Sequence, residues 1–483
     1  MVGVLQEALT TIGQDFPYRL CTPNPLPDTP VLRPDQDISV SVTQHGSLVD
    51  NTGLFAKAHA GIAAVTGMDQ ARLMVGGSTG AVRTIAWSLV LAHGVDTVVL
   101  VAGNAHRSVI HAAEQFGLSL RFLPADSLRE ALLPPTPHVV AAALEQLAAV
   151  GVRPAAVWLT SPTYEGLVAD VAGILPVVHR DGIPLVVDEA WGPHSGVLTG
   201  FPSAMQAGAD IVTQSTHKLG GSLQQSALLA WNEPQVSTDS MQTAIRQTST
   251  TSPSYGLVAS AEHAILTVHS NPDLLARPVA RIHELKERLA SLVPGIGFLE
   301  DIARGVEGVV ATDPMRTTID LSAFAVTGHH VASGLAALGI IVEKATAHTV
   351  TLLGLFNQPD NTAKVTAQAV ADIVTCVGHA PAAPPDLVRR AEPVVRHPRL
   401  ELHHMIRRTD TMTVAADDAI GHIAAETVEV YPPGIPLVMP GYPIRQQDLD
   451  LLQETALGGG RVVANDPTLT TIRVLRPPVT VAA

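Results

Sequence analysis

Cysteine is almost missing from this chain: Cys21 and Cys376 are the only two in 483 residues. Two thiols cannot build a disulfide framework or a cysteine-ligated metal cluster. Aromatic residues are scarce, at 4%, so the core is expected to be aliphatic and helix-rich. Charged residues are few, at 15%, and unbalanced: 30 Lys and Arg stand against 44 Asp and Glu, a formal charge of −14. An acidic protein repels phosphate backbones, which argues against a nucleic-acid partner. Long apolar runs are absent too. The stretch from Val139 to Leu159 is broken by Glu145, Gln146, Arg153 and Pro154, and no run reaches membrane-spanning length. The opening MVGVLQEALTT has no basic lead and no apolar core, so no secretory signal is expected. A soluble, cytoplasmic protein without membrane contact is the expectation.

What remains is ample. Hydrophobic residues make up 46%, which excludes a disordered chain. The length exceeds what one core usually serves, so two or three domains are expected. Residues 1–53 read as an extended arm, because Pro23, Pro25, Pro27, Pro30 and Pro34 forbid regular helix. Such an arm either lies across another domain or serves as a surface linker. Residues 54–270 alternate helix and strand. Helices are expected at Ala81–His93, Arg107–Phe116, His138–Val150 and Val168–Arg180. Strands are expected at Thr97–Val101, Leu118–Leu123, Ala155–Thr160, Pro184–Asp188, Ile211–Thr213 and Ser226–Trp231. Apolar strands spaced by helices predict a mostly parallel sheet covered on both faces. Residues 271–380 read as a smaller α+β domain, with a helix over Leu274–Leu292 and strands at Thr317–Leu321 and Thr349–Leu353. Residues 381–483 form a further C-terminal unit. It follows a break over Ala380–Pro385 and opens on Arg389, Arg390, Arg396 and Arg399, which read as a solvated face.

Ligands of a parallel sheet sit beyond the carboxyl ends of its strands. Five polar segments fall at such ends or at helix starts. Gly76-Gly77-Ser78-Thr79-Gly80 offers small residues and hydroxyls at a helix N-terminus, which suits one phosphate, though a plain glycine turn reads equally well. Asn104-Ala105-His106-Arg107-Ser108 offers a His to stack on a flat ring, or to cap a helix. Ser161-Pro162-Thr163-Tyr164-Glu165-Gly166 offers hydroxyls, or an ordinary turn. Asp188-Glu189-Ala190-Trp191 puts an acid at the end of an apolar strand, where burial calls for a cationic partner. Ser215-Thr216-His217-Lys218 puts a lysine in a polar turn beside that sheet, where its pKa can fall far enough for imine chemistry. Together they supply a phosphate cradle, a ring stacker, a carboxylate for a ring nitrogen and an imine-forming lysine. That is the set pyridoxal phosphate requires.

In order and spacing these segments resemble the Orn/Lys/Arg decarboxylase family of pyridoxal-phosphate enzymes. Tyr431-Pro432-Pro433-Gly434-Ile435-Pro436 is similar to that family's C-terminal signature. The resemblance implies an α/β, aspartate-aminotransferase-like large domain (fold type I). Its mostly parallel seven-stranded sheet would lie between helices, with smaller α+β units after it. It implies pyridoxal 5'-phosphate held by Lys218 as a Schiff base, with Asp188 on the ring nitrogen and His106 stacked on the ring. Ala190 would pack on the opposite face, and Trp191 would donate its indole N–H to the phenolic oxygen. Gly77, Ser78, Thr79, Ser215 and His217 would hold the phosphate. The reaction implied is decarboxylation of arginine, lysine, ornithine or a close analogue, as in polyamine biosynthesis. A homodimer or larger homo-oligomer with no metal is implied as well.

The likeness fails at three places. The family's Pro-Gly-His-Lys in the arm is replaced by Cys21-Thr22-Pro23-Asn24-Pro25, its acidic segment before the first helix is blurred around Asp37 to Asp50, and its Pro-Gly-Glu after the tail signature is replaced by Pro440-Gly441-Tyr442. Either the substrate or reaction has changed, or the motifs have drifted neutrally. Amino transfer, elimination and oxidation stay open as alternatives, with Arg445 or Arg473 as a carboxylate clamp. A non-catalytic relative of the fold is disfavoured by retention of Lys218 and Asp188.

Overall fold

The computed structural model describes residues 15–31, 36, 39–377, 387–388, 411–431 and 434–476. The arginine cluster of 389–399, the break at 380–385 and Pro432-Pro433 lie outside those residues.

One seven-stranded sheet organises the first half. Its order is Gln70–Met74, Ala227–Trp231, Ile211–Gln214, Leu185–Asp188, Ala156–Thr160, Val98–Val101, Ser119–Phe122. The last five run parallel to one another, and Ala227–Trp231 is antiparallel to both its neighbours. Successive side chains of a strand point to opposite faces. So Val187, Val157 and Leu100 enter one core, with helix residues Leu144 and Ile174. Val186, Trp158 and Val99 enter the other, with Val82, Ile85 and Val109. This explains why the strands read as continuous apolar runs.

Two differences from the sequence expectations have physical causes. The first helix after the glycine segment spans Gly77–His93, so that segment is its first turn, with Gly77 at φ +63°. The expected helix over Val168–Arg180 is two elements. Leu167–Ala169 is a strand, paired antiparallel with Val309–Thr312. Asp170 then caps the helix Val171–His179, its carboxylate accepting from the Gly173 N–H at 2.9 Å.

A second sheet has the order Gly297–Phe298, Arg316–Asp320, Thr349–Leu353, Lys344–Ala345, all antiparallel. The helices Ala276–Leu292 and Thr362–Val377 supply Leu285, Leu289, Ala367 and Val370 to its core. Leu20 lies in that core too, because Tyr18–Leu20 pairs in parallel with Ile340–Val342. The arm is thus tied to the small domain through a separate two-stranded sheet. A fourth core gathers Val428, Val438, Leu449, Leu452 and Val474. Its strand Val428–Val430 lies between Ile435–Val438 and Val462–Val463. Among the described residues no helix is long and apolar enough to cross a membrane.

Candidate active site

Asp188 ends the strand Leu185–Asp188 at the carboxyl edge of the large sheet, between Thr160 and Thr213 on the neighbouring strands. It is 3% exposed. Its Oδ1 accepts from the Ala190 N–H at 3.1 Å. Burial raises its pKa, against the pull of Lys218 and of that N–H. Glu189, next to it, is buried and pinned by Ser195, Ser203, Gln214 and the Ala204 N–H, so the turn that carries Asp188 and Trp191 is fixed from below.

Lys218 follows the strand Ile211–Gln214, and its backbone N–H closes a turn on the Ser215 carbonyl at 3.0 Å. Its Nζ lies 4.1 Å from the Trp191 ring centroid, over the indole face. Desolvation lowers its pKa to about 8. Asp188 and Glu343 push the other way, and Arg316 adds to the fall. The lysine therefore keeps an accessible neutral form within the electrostatic reach of two carboxylates.

The phosphate candidates converge. Ser215 Oγ donates to Ser78 Oγ at 2.7 Å. His217 Nδ1 lies 2.8 Å from the Ser226 carbonyl, which leaves Nε2 for a ligand. A Cβ on Gly77 would meet only His217 Cε1, at 3.9 Å, so Gly77, Ser78 and His217 border one open space. Thr79 is exposed in the same first turn. That space at a helix N-terminus fits a phosphate. Asn104 Oδ1 and Thr160 Oγ1 are buried without a partner at the same sheet edge, as expected where a polar ring belongs.

His106 caps the helix Arg107–Phe116, accepting from the Ser108 N–H through Nδ1, so the expected ring stacker also caps. Burial, Lys218 and Arg107 hold its pKa down at about 3, so the ring is neutral. Gly434 of the C-terminal unit covers it: a Cβ there would stand 3.4 Å from His106 Nε2. The Gly434 carbonyl accepts from the Arg107 N–H at 3.0 Å. Ala190 and Trp191 are buried beside Asp188. Trp191 presents its ring face to Lys218 and to Arg316, whose guanidinium carbon is 4.4 Å from the ring centroid.

Four residues of this site were not singled out by sequence. Arg316 begins a small-sheet strand with its side chain 1% exposed. It bonds Asp313 at 3.1 Å and the carbonyls of Thr163 and Tyr164. Asp313 in turn accepts from His194 at 2.9 Å. Glu343 follows the strand Ile340–Val342, and its charge acts on Lys218. The Tyr164 hydroxyl donates to Glu343 Oε1 at 2.5 Å, and the Thr22 N–H donates to Oε2 at 2.8 Å. Burial raises the pKa of Glu343 and drives that of Tyr164 far up. Tyr431 also lies near Tyr164 and adds to that upward push. Of the two arginines considered as carboxylate clamps, Arg445 is forked onto Asp448 at 2.8 and 2.9 Å. Arg473 lies on the C-terminal strand Thr471–Leu475.

The profile of the Orn/Lys/Arg decarboxylase major domain matches residues 30–304, and that of the family's C-terminal domain matches 387–456. The chain belongs to the Orn/Lys/Arg decarboxylase family. It is 29% identical to an arginine decarboxylase of Halalkalibacterium halodurans, over 92% of this chain and 90% of that protein. It is 28% identical to one of Bacillus subtilis, over 88% of this chain and 86% of that protein. A solved structure of the E. coli constitutive lysine decarboxylase superposes with a TM-score of 0.73 at 21% identity. That match covers 91% of this chain and 75% of the other. A Sphingomonas wittichii serine palmitoyltransferase, at TM-score 0.54 and 14% identity over 74% of this chain and 87% of that one, shares the fold. The family and the fold make this chain a pyridoxal-phosphate-dependent amino-acid decarboxylase of fold type I, with pyridoxal 5'-phosphate as its cofactor.

Proposed function

We propose that the substrate is an amino acid with a cationic side chain, that is arginine, lysine, ornithine or a close analogue, and that Lys218 and Asp188 carry the chemistry. One observation carries this reading. Two carboxylates act on the charge of Lys218, the buried Asp188 and the half-buried Glu343, and only one of them is needed by the cofactor ring. Glu343 is held by a tyrosine hydroxyl and a backbone N–H, which are neutral donors. A substrate cation beside it offsets the burial that raises its pKa.

Pyridoxal phosphate, when bound, supplies an electron sink for the carbon that loses its carboxyl group. Lys218 would hold the cofactor through its Nζ and would return a proton to the substrate carbon. Asp188 would hold a proton on the ring nitrogen. His106, neutral and beside Gly434, would stack on the ring. Ala190 would pack on the opposite face. Gly77, Ser78, Thr79, Ser215 and His217 would hold the phosphate. Trp191 covers Lys218 Nζ with its ring face, and its indole N–H would serve the phenolic oxygen.

The acting protein is proposed to be a cytoplasmic homo-oligomer, at least a dimer. The test is a panel of amino acids with carbon dioxide and keto acid both measured. Carbon dioxide from one of the three basic amino acids is expected. Keto acid without carbon dioxide would replace this reading with amino transfer.

A further inference from the structure

Glu165 and Lys344 form an ion pair with both side chains 6% exposed. Neither is needed to hold a cofactor. Glu165 lies on the loop after the large-sheet strand Ala156–Thr160, and Lys344 starts the small-sheet strand Lys344–Ala345. The pair therefore joins two layers of the molecule. It sits one residue along from the contact that matters most for the side chain of a basic substrate: 164 bonds 343, and 165 bonds 344.

A buried ion pair adds little net stability, because desolvation cancels most of the attraction. What it does well is fix register. A slip of one residue here would leave two charges buried without partners, the costliest defect available. The rest of the neighbourhood is arranged to prevent such a slip. Thr163 Oγ1 donates to the other Glu165 oxygen at 3.2 Å. Lys344 Nζ stands 5.5 Å from the Tyr164 ring centroid, and Trp191 meets that ring edge-on at 4.8 Å. Arg316 grips the Tyr164 carbonyl. Tyr164 is thus held at its carbonyl and ring, and its hydroxyl has one place to go.

We propose that Glu165 and Lys344 are positioning residues that set the Tyr164–Glu343 alignment and, through it, the discrimination between cationic and uncharged amino acids. This rests on the reading that Glu343 receives the substrate cation. The readout is the ratio of kcat/KM for a basic amino acid to that for an uncharged analogue of similar length, arginine over citrulline and lysine over norleucine. In the loaded enzyme, Glu165→Gln and Lys344→Met are each expected to lower that ratio about tenfold, mostly through KM. The charge swap Glu165→Lys with Lys344→Glu is expected to recover it to within about threefold of wild type. Single variants that melt like wild type and keep the ratio overturn the inference, as does a swap no better than the singles. If a single variant fails to fold, the uncharged double variant Glu165→Gln with Lys344→Met keeps the shape without the charges. A wild-type ratio in that double variant also overturns it. A wild-type enzyme that does not favour the cationic substrates sinks the substrate reading itself, which separates the two failures.

Discussion

The guanidinium of Arg107 is paired with the carboxylate of Glu429, which is 1% exposed on the C-terminal strand Val428–Val430. Arg107 is the residue after His106, the proposed ring stacker, and its own N–H is taken by Gly434. The C-terminal unit therefore grips the helix that His106 caps. Arg107→Ala leaves Glu429 buried without its partner, where burial already raises the carboxyl's pKa. That variant is expected to lower cofactor affinity about tenfold or more, while Glu429→Gln costs less because the Arg107 guanidinium it leaves unpaired is 34% exposed and can be solvated. Titration of each apoprotein with pyridoxal phosphate, followed by visible absorbance, checks the order.

Lys218→Ala is expected to abolish turnover by a factor on the order of 10³ or more, since the attachment point and the proton donor go together. The visible band of the loaded enzyme should vanish with it. Persistence of both would mean that another lysine holds the cofactor.

Asp188→Asn keeps the shape but removes the charge opposite the ring nitrogen. A fall in kcat of about 10²–10³ is expected, with a smaller effect on KM. Steady-state kinetics on the substrate found in the panel decide this.

The pH behaviour of the unloaded lysine has a definite sign. The attacking form of Lys218 is the neutral amine, present above its pKa of about 8. Condensation of pyridoxal phosphate with the apoprotein should therefore accelerate as pH rises through about 8 and level off above it. Arg316→Met removes one of the causes of the lowered value, and the midpoint should move upward. Stopped-flow absorbance measures both.

Asp313 is buried between His194 and Arg316. Burial opposes its ionisation, yet His194 and Arg316 outweigh that, and its pKa is lowered. A depressed carboxylate contributes stability that is present above its unfolded-state pKa and lost as pH falls through the folded value. Asp313→Asn is expected to cost about 3–5 kcal/mol at neutral pH, because it strands the Arg316 charge. The difference from wild type should shrink on acidification below pH about 4. Urea unfolding at several pH values reads it directly.

The large sheet was legible because most of its strands are apolar runs, such as Val98–Val101 and Leu185–Asp188, with polar residues at or after their ends. The strand Gln70–Met74 was not, since Arg72 interrupts it; the structure buries that guanidinium 5.0 Å from the Trp231 ring centroid, where it no longer behaves as a surface charge. The helix Thr238–Thr248 is too polar to show an apolar run, yet its buried Met241, Ala244 and Ile245 are enough to dock it. Asp188 and Lys218 stood out because each follows or ends an apolar strand of the large sheet, and only together with the other polar segments. Arg316 and Glu343 did not, because each lies at the end of a strand outside that sheet and meets its partners far along the chain. The altered Tyr442 finds a packing role: its hydroxyl donates to the Leu120 carbonyl at 3.1 Å, and its ring meets Phe122.

Thr22 and Glu343 are 321 residues apart in sequence. During synthesis the arm leaves the ribosome long before its partner strand exists. Its backbone groups must wait on water until Ile340–Val342 arrives. Closing so large a loop is entropically slow but only modestly unfavourable at equilibrium. The carboxylate at 343 therefore acquires Thr22 and Tyr164 only after Asp188 and Lys218 have already been made.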